Sequence, residues 1–249
     1  MRVAALYDIH GNLPALEAVL TDVRAASVDR IVIGGDVLPG AMPRECLDLL
    51  FALDPPATFI IGNGDRETLA YRRGDESGPI PGMFREAMRW NAAQLTTADE
   101  RAIEGWPLTA RLLIDGIGEV VFCHATPRKD TEIFLKTTAV DKLLPIFDPV
   151  DASLVVCGHT HMQFDRMVGE TRIVNAGSIG MPFQAPGAYW LLLIDREVEL
   201  RRTRYDLDAA AARVRATAYP QAESFAAQSI LQPPAEEAML AAFAAAELK

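Results

Sequence analysis

The chain has 249 residues, of which 50% are hydrophobic and 23% charged, a globular composition with enough apolar residues for a sizeable core. Its net charge of −10 argues against a nucleic-acid coat or an anionic-membrane binder, because phosphate backbones are bound mainly by Lys and Arg. A small phosphorylated substrate is not excluded, because bound divalent cations can reverse the field of a cleft.

In chain order, the first half alternates short β-rich runs with helical patterns. Strands are predicted at 2–7, 30–33 and 58–61, and helices at 13–25 and 43–53. This alternation favours a sheet with parallel pairs and helical crossovers. Residues 66–110 interrupt it with glycines and prolines, a helical stretch from 83 to about 94, and a capping box at Thr97-Ala98-Asp99-Glu100. We expect a mainly helical excursion there, over one edge of the fold.

The second half resumes the strands. They are predicted at 111–114, 119–123, 153–157 and 171–174, with a helix at 138–147, and residues 188–195 and 197–205 are typical of a hairpin. The Ala-rich sequence from Leu207 onward predicts a helical tail whose role is packing. With no internal repeat or long linker, we predict a single domain over 1–249, with the excursion at about 66–110 and the tail at about 207–249.

The number of cysteines and the hydropathy of the sequence indicate in which compartment the protein resides and whether it binds a membrane. Cys46, Cys123 and Cys157 are an odd number without CxxC spacing, which favours a reducing interior. The first ten residues reach Asp8 and His10 before a signal-peptide core could form, and the longest apolar run is far too short to span a bilayer. We therefore expect a soluble cytoplasmic protein without a membrane partner, and leave open whether it forms a homo-oligomer.

Five short polar clusters each follow a predicted strand closely. They are Asp8-Ile9-His10-Gly11-Asn12, Gly34-Gly35-Asp36, Gly62-Asn63-Gly64-Asp65, His124, and Gly158-His159-Thr160-His161. Sites in sheets with parallel strands form outside the carboxyl ends of the strands, so clusters about 150 residues apart can share one cleft.

The residue types in these clusters suit metal ions. Imidazole nitrogen and carboxylate oxygen are usual ligands of transition metals. The i, i+2 spacing of Asp8/His10 and His159/His161 predicts that each pair lies on one side of extended backbone. Alone, a DxH is usually a surface or capping pair and a GD or GN usually a turn. All four histidines of the chain nevertheless belong to the set, which favours a metal site.

Other motifs are weaker. Ala176-Gly177-Ser178-Ile179-Gly180 resembles a nucleophile elbow, but Ala176 replaces its first glycine and no histidine is free to serve Ser178, so a structural turn is favoured. Cys123 and Cys157 are expected to be core thiols. The sequence has no complete GxGxxG and no Walker A motif, so nucleotide binding by those loops is unsupported.

Taken together, the clusters DIH, GGD, GNGD, CHATP and GHTH resemble the signature of the calcineurin-like metallophosphoesterase superfamily. The strings DIHGNLPALEAVL and VNAGSIGMP are similar to its small prokaryotic phosphodiesterase branch, and the resemblance covers roughly residues 1–205. It implies an α/β fold, a four-layer αββα sandwich with two mixed β-sheets flanked by helices.

The resemblance also implies two divalent metal ions per chain. Manganese is expected first, with nickel, iron, zinc, cobalt or magnesium as alternatives. The ions would lie about 3.5–4 Å apart with a bridging hydroxide as nucleophile. Catalytic roles would fall to Asp36, Asn63 and His124. The implied ligands are Asp8, His10 and His161 for the first ion, Asn63, His124 and His159 for the second, and Asp36 for both.

One position departs from the family pattern. Many members carry a histidine after the motif asparagine, where this chain has Gly64. Acid assistance to the leaving group is therefore in doubt, and a histidine introduced there is expected to raise activity toward poor leaving groups. Asp65 is expected to support a metal ligand. Arg66 and Asn12 are candidate substrate contacts, with a surface salt bridge and a helix cap as their respective alternatives.

The function expected from this resemblance is hydrolysis of small, nucleotide-like phosphodiesters. The alternatives are hydrolysis of dinucleoside polyphosphates or phosphomonoesters, or a non-catalytic protein-binding scaffold on the same fold. Because all seven implied ligands are present, the enzyme is favoured over the scaffold. Specificity is expected to reside in the 66–110 excursion and the loop after His124.

Overall fold

The computed structural model describes residues 1–78, 80–194 and 196–248. Pro79 in the predicted excursion, Asp195 at the predicted strand end and Lys249 at the end of the predicted tail lie outside the described residues. The described strands are β1 (Val3–Leu6), β2 (Arg30–Ile33), β3 (Thr58–Phe59), β4 (Thr109–Ile114), β5 (Gly118–Cys123), β6 (Leu154–Cys157), β7 (Phe164–Val168), β8 (Thr171–Asn175), β9 (Ala188–Ile194) and β10 (Glu197–Thr203).

Helices occupy the connections and the tail. The described α-helices are α1 (Leu13–Ala25), α2 (Pro43–Phe51), α3 (Asn63–Arg72), α4 (Arg85–Gln94), α5 (Thr97–Glu104), α6 (Val140–Phe147), α7 (Leu207–Arg215), α8 (Ala222–Phe225) and α9 (Glu236–Phe243). The 66–110 segment therefore holds most of α3 and all of α4 and α5, and α8 continues into a π-helical segment at Ala226–Leu231. Within the described ranges, every helix is too short or too polar to cross a membrane.

The strands form two mixed five-stranded sheets. The first has the order β10-β9-β1-β2-β3, with β1 parallel to β2 and antiparallel to β9. The second has the order β4-β5-β6-β8-β7, with β5, β6 and β8 parallel. The predicted hairpin is present, because β9 and β10 pair antiparallel along their whole length.

Side-chain alternation along β1 explains why the sheets pack face to face. Val3 and Ala5 point into a core between the sheets, which they share with Phe122 of β5 and Val156 of β6. Ala4 and the other alternate residues of β1 point into a second core under α1, α2 and α7. A third core under α6 covers the outer face of the second sheet. The four layers confirm the predicted αββα sandwich.

The predicted core thiols belong to these cores. Cys123 and Cys157 lie fully buried in the core under α6. Burial raises the pKa of the Cys123 thiol well above its usual range, which keeps it protonated and unreactive.

Some predicted boundaries were wrong. The capping box begins at Thr96, not Thr97: the Thr96 hydroxyl accepts a hydrogen bond from the Asp99 backbone at 3.2 Å, and Asp99 accepts one from the Thr96 backbone at 2.7 Å. The strand predicted at 58–61 has only two residues. Strand β7 was not predicted, because it is an edge strand with buried side chains only at its two ends, so its hydrophobic alternation is weak.

Candidate metal centre

The polar clusters meet where the two sheets end. The DIH and GGD clusters follow the parallel strands β1 and β2 of the first sheet, and the His124 and GHTH clusters follow β5 and β6 of the second. Asp8 Oδ1 from the first sheet lies only 3.3 Å from His161 Nε2 of the second. The carboxyl ends of both sheets therefore open onto one site, as parallel strands favour.

The backbone that carries these side chains is left-handed, not extended, so the geometry predicted from the i, i+2 spacing was wrong. Non-glycine residues rarely adopt positive φ, and those that do are concentrated at functional sites. The loops are fixed across the sheet, with the Asp8 backbone donating to Gly35 at 3.1 Å. Five of the implied ligands have such φ values: Asp8 (53°), His10 (46°), Asp36 (50°), His159 (67°) and His161 (58°).

The first group of candidate ligands contains two imidazole nitrogens that face each other. His10 Nε2 and His161 Nε2 are 3.1 Å apart. Their Nδ1 atoms lie 3.3 Å and 2.7 Å from the carbonyl oxygens of Pro39 and Met181, so each Nδ1 carries the donated proton and each Nε2 is an acceptor. Asp8 Oδ1 is buried beside them without a hydrogen-bond partner among the described residues. A cation among these three acceptors satisfies all of them.

The second group is built around Asn63, at the start of α3. One terminal atom of its amide lies 3.0 Å from His159 Nδ1 and 3.3 Å from His124 Nε2. The other nitrogen of His124, Nδ1, lies 3.0 Å from the carbonyl oxygen of Gly34 and donates to it. With its oxygen toward the rings, Asn63 completes a set of three neutral ligand atoms for a second cation.

Asp36 lies between the two groups. Its Oδ2 is 3.8 Å from His10 Nε2 and its Oδ1 is 3.5 Å from His124 Nε2. The Gly64 backbone donates a 2.7 Å hydrogen bond to Oδ1, which fixes the carboxylate plane. Each oxygen of Asp36 thus faces a different group, as a bridging ligand requires.

Burial and mutual repulsion shape the protonation of the cluster. Burial lowers the pKa of His10 and of His159 to about 3, so both rings are neutral and able to bind metal at pH 7. Burial alone would raise the pKa of Asp8, but the surrounding imidazoles, His161 foremost, hold it well below its usual range. Burial and the charge of Asp8 raise the pKa of Asp36 well above its usual range. Bound divalent cations would supply the positive charge that the neutral rings of His10 and His159 do not.

Asp65 supports both groups from behind, as expected. It is fully buried and accepts hydrogen bonds from the backbone of Asp36 at 2.8 Å, Leu38 at 3.0 Å and Gly62 at 3.1 Å. Burial, together with the nearby Asp36, raises its pKa to about 8. One carboxyl group thus connects the loop of Asp36 with the start of the helix that carries Asn63.

Two further positioning residues, Asn175 and Ser178, were not recognised as such from the sequence. Asn175 Nδ2 donates to the Gly158 carbonyl at 2.6 Å and so braces the GHTH loop. The Ser178 hydroxyl donates to the Asp8 carbonyl at 2.8 Å and accepts from the Met181 backbone at 2.8 Å. Ser178 is fully buried and is therefore part of a turn, not a nucleophile. The string VNAGSIGMP was their only sequence signal.

The two candidate substrate contacts have other partners in the structure. Asn12 is fully buried: its oxygen accepts from the Ala15 backbone at 3.3 Å to cap α1, and its Nδ2 donates to Gly180 at 3.0 Å. Arg66 forms a two-pronged pair with Asp130, with Nε–Oδ2 at 2.6 Å and an Nη–Oδ1 distance of 3.2 Å. These contacts correspond to the helix cap and the salt bridge weighed as alternatives.

A cavity of about 540 Å³ opens beside the ligand cluster. Its described lining includes the candidate ligands His10, Asp36 and Asn63, residues of the excursion, and residues of the C-terminal tail. The tail, expected only to pack, therefore forms part of the wall. The loop after His124, expected to shape specificity, is not among the described lining residues.

The chain matches a known protein family over most of its length. Residues 1–197 match the calcineurin-like phosphoesterase superfamily domain, a stretch that includes all five polar clusters. The chain belongs to this superfamily, and the resemblance seen in its motifs is confirmed.

Two solved structures are similar over nearly the whole chain. A metallophosphoesterase from Sphaerobacter thermophilus is 28% identical with a TM-score of 0.71, and the match covers 91% of this chain and 97% of that one. A hypothetical protein from Pyrococcus horikoshii OT3 shares the fold at 20% identity, with a TM-score of 0.78 and coverage of 94% and 99%. An uncharacterized protein of Methanocaldococcus jannaschii is 28% identical over an alignment of 229 residues, and the match covers 84% of this chain and 89% of that protein.

Proposed function

We propose that the protein is a dinuclear metal-dependent phosphodiesterase that hydrolyses small, nucleotide-like diesters. The observation that carries the proposal is a set of buried acceptor atoms at the site: His10 Nε2 and His161 Nε2 face each other at 3.1 Å beside Asp8 Oδ1, which has no hydrogen-bond partner among the described residues. Buried acceptors in this arrangement are costly without a cation. Membership of a phosphoesterase superfamily supplies the reaction class.

The ligand roles follow from which atoms face which group. Asp8, His10 and His161 would hold one ion, Asn63, His124 and His159 the other, and Asp36 both. When bound, two divalent ions supply an acidified water and neutralise charge that develops on the phosphoryl oxygens.

The chain's own contribution is to fix these ligands. The carbonyl groups of Pro39, Gly34 and Met181 hold Nδ1 of three rings, so Nε2 of each points into the site.

We expect side chains to give the leaving group little general acid assistance. The position after Asn63 is Gly64, and the neighbouring Arg66 is held by Asp130. General acid assistance is typically worth about 10²–10⁴-fold, so its absence penalises poor leaving groups most. We therefore expect aryl and nucleotide-type diesters to be cleaved faster than simple alkyl monoesters.

The test is a substrate panel on metal-stripped protein reconstituted separately with Mn, Ni, Fe, Zn, Co and Mg. The panel contains diesters with graded leaving-group pKa, matched monoesters and a dinucleoside polyphosphate. We expect no activity after chelation, the highest kcat/KM for diesters, and a steep decline as leaving-group pKa rises. A flat leaving-group plot with monoesters preferred would overturn the proposal, as would full activity without metal.

A further inference from the structure

The cavity beside the metal centre is placed to receive part of the substrate. Its volume of about 540 Å³ lies within the range of small-molecule sites, ~300–1,000 Å³. Because His10, Asp36 and Asn63 line it, a phosphate at these ligands directs one of its ester groups into the cavity. The side chains that line the cavity therefore determine which ester groups it can bind.

Large apolar side chains dominate the walls. Phe183 stacks on the candidate ligand His161, with ring centroids 4.7 Å apart and planes 26° apart, and continues the apolar surface away from the ligands. The excursion and the tail both contribute to the lining. Their apolar members include Ile80, Phe84, Met88, Phe225 and Met239.

Charged groups are scarce in the same walls. Apart from the ligands, Glu67 is the one charged side chain among the described lining residues, and no Lys or Arg is among them. Arg66, its chain neighbour, is held by Asp130 at 2.6 Å and is outside the lining. Arg66 Nη2 also lies 4.0 Å from Glu67 Oε1, so its charge is already shared between Asp130 and Glu67. An anionic ester group would therefore lose its hydration here without finding a Lys or Arg among the described lining residues.

The remaining polar lining residues of the tail are neutral. Gln221 donates to the Met83 carbonyl at 2.9 Å and so joins the tail to the excursion next to the cavity. Ser224, Gln228 and Ser229 also line the cavity. These groups hydrogen-bond to uncharged partners and offer no full charge to an ion.

We propose that this cavity binds an uncharged, mainly apolar ester group, so that the preferred substrates are phosphodiesters with one neutral aromatic or alkyl substituent. This inference rests on the proposed phosphodiesterase function and narrows it. Substrates that would place a second phosphate in the cavity, as dinucleoside polyphosphates would, are disfavoured.

The first test varies the ester group while the leaving group stays constant. Three diesters share 4-nitrophenolate as the leaving group and carry methyl, phenyl or 4-carboxyphenyl as the second substituent. We expect kcat/KM to rise by about tenfold or more from methyl to phenyl, because a ring is buried. It should fall again for 4-carboxyphenyl, although that substituent is larger.

A variant pair tests whether the cavity is the cause. Phe84 lines the cavity and is 44% exposed, so Phe84→Lys is compatible with the fold. It should reverse the preference between phenyl and 4-carboxyphenyl. The control is Met83→Lys, which adds the same charge one residue away at a side chain that is 74% exposed and outside the lining. The control should keep the wild-type preference; reversal in both variants would contradict the assignment.

A binding measurement separates this inference from the proposed function. Phenylphosphonate and methylphosphonate, which have no hydrolysable ester, are titrated calorimetrically into metal-loaded protein, and the phenyl compound should bind more tightly. If it does and no diester is cleaved, the proposed function fails while the cavity assignment stands. If diesters are cleaved with equal kcat/KM and both phosphonates bind equally, the cavity assignment fails while the proposed function stands.

Discussion

At the scale of single residues, Asp36 is the side chain on which the site depends most. Its two oxygens face different ligand groups, at 3.8 Å from His10 Nε2 and 3.5 Å from His124 Nε2. Asp36→Asn replaces one charged oxygen with an amide nitrogen and should lower both metal content and turnover, the latter by more than about 100-fold. The control is Arg66→Gln, which breaks the pair with Asp130 and the 4.0 Å contact of Arg66 with Glu67 but leaves every candidate metal ligand in place. Near-normal turnover with full metal content in Asp36→Asn would refute the bridging role.

At Gly64, the sequence motif and the packing of the fold lead to different expectations. From the sequence, the missing histidine could be restored by substitution, but a Cβ at Gly64 would lie 2.4 Å from the Leu38 carbonyl oxygen and 3.1 Å from Asp36 Cγ. We therefore expect Gly64→His to displace the loop after β2 and not to raise activity toward poor leaving groups. The loop after β2 occupies the space, so the glycine is required by close approach of backbone.

Gly64→Ala tests this packing directly. Overpacking against backbone should lower the free energy of unfolding by about 1–3 kcal/mol and disturb the hydrogen bond to Asp36. Gly82→Ala is the matched control, because no atom of the described residues lies within 4 Å of a Cβ built there. Urea unfolding of the two variants checks the prediction. Equal midpoints for both would show that the loop after β2 yields at little cost.

At the scale of elements, the cap of α5 connects the excursion to the body of the protein. Asp99 accepts from the Thr96 backbone at 2.7 Å and its hydroxyl at 2.6 Å, and it also pairs with Arg44 of α2. Burial opposes ionisation, but these contacts hold the pKa of Asp99 below its usual value. Its ionised form therefore stabilises the fold at pH values above about 4, and this contribution is lost as the pH falls through the lowered pKa.

Asp99→Asn should accordingly destabilise the protein by about 1–2 kcal/mol at pH 7. The difference from wild type should shrink below about pH 4, where Asp99 of the unfolded chain takes up a proton, and disappear below the lowered pKa of the folded state. Asp48→Asn is the control, since Asp48 pairs with the same Arg44 but is exposed; its effect should be smaller. Denaturant titrations at both pH values measure the difference, and a constant gap across pH would contradict the role of the charge.

Some secondary-structure elements could be predicted from the sequence, and others could not. The parallel strands and their crossover helices were predictable, because apolar runs and capping residues encode them locally. Edge strand β7 and the short length of β3 were not, because they are defined by pairing with a neighbour more than by their own pattern. The left-handed backbone at Asp8 and His161 was equally inaccessible, since cross-sheet hydrogen bonds and packing impose it.

At the scale of the whole molecule, the candidate metal centre joins the two sheets. Asp8, His10 and Asp36 belong to loops of the first sheet, and His124, His159 and His161 to loops of the second. Burial and repulsion by the charge of Asp8 raise the pKa of Asp36, so ionising both carboxyl groups is costly when cations are absent. Bound cations would remove that repulsion and hold the sheets together at their carboxyl ends.

Metal binding should therefore raise the melting temperature of the entire protein. A ligand that binds only the folded state at 100 times its Kd stabilises by about 2.7 kcal/mol. For a chain of this size that corresponds to a shift on the order of 5–10 °C. Calorimetry of chelator-treated and reconstituted protein measures the shift, and Asp36→Asn should show less of it because its affinity for metal is reduced. Equal melting temperatures for the metal-free and metal-loaded wild type would mean that the ions do not join the sheets.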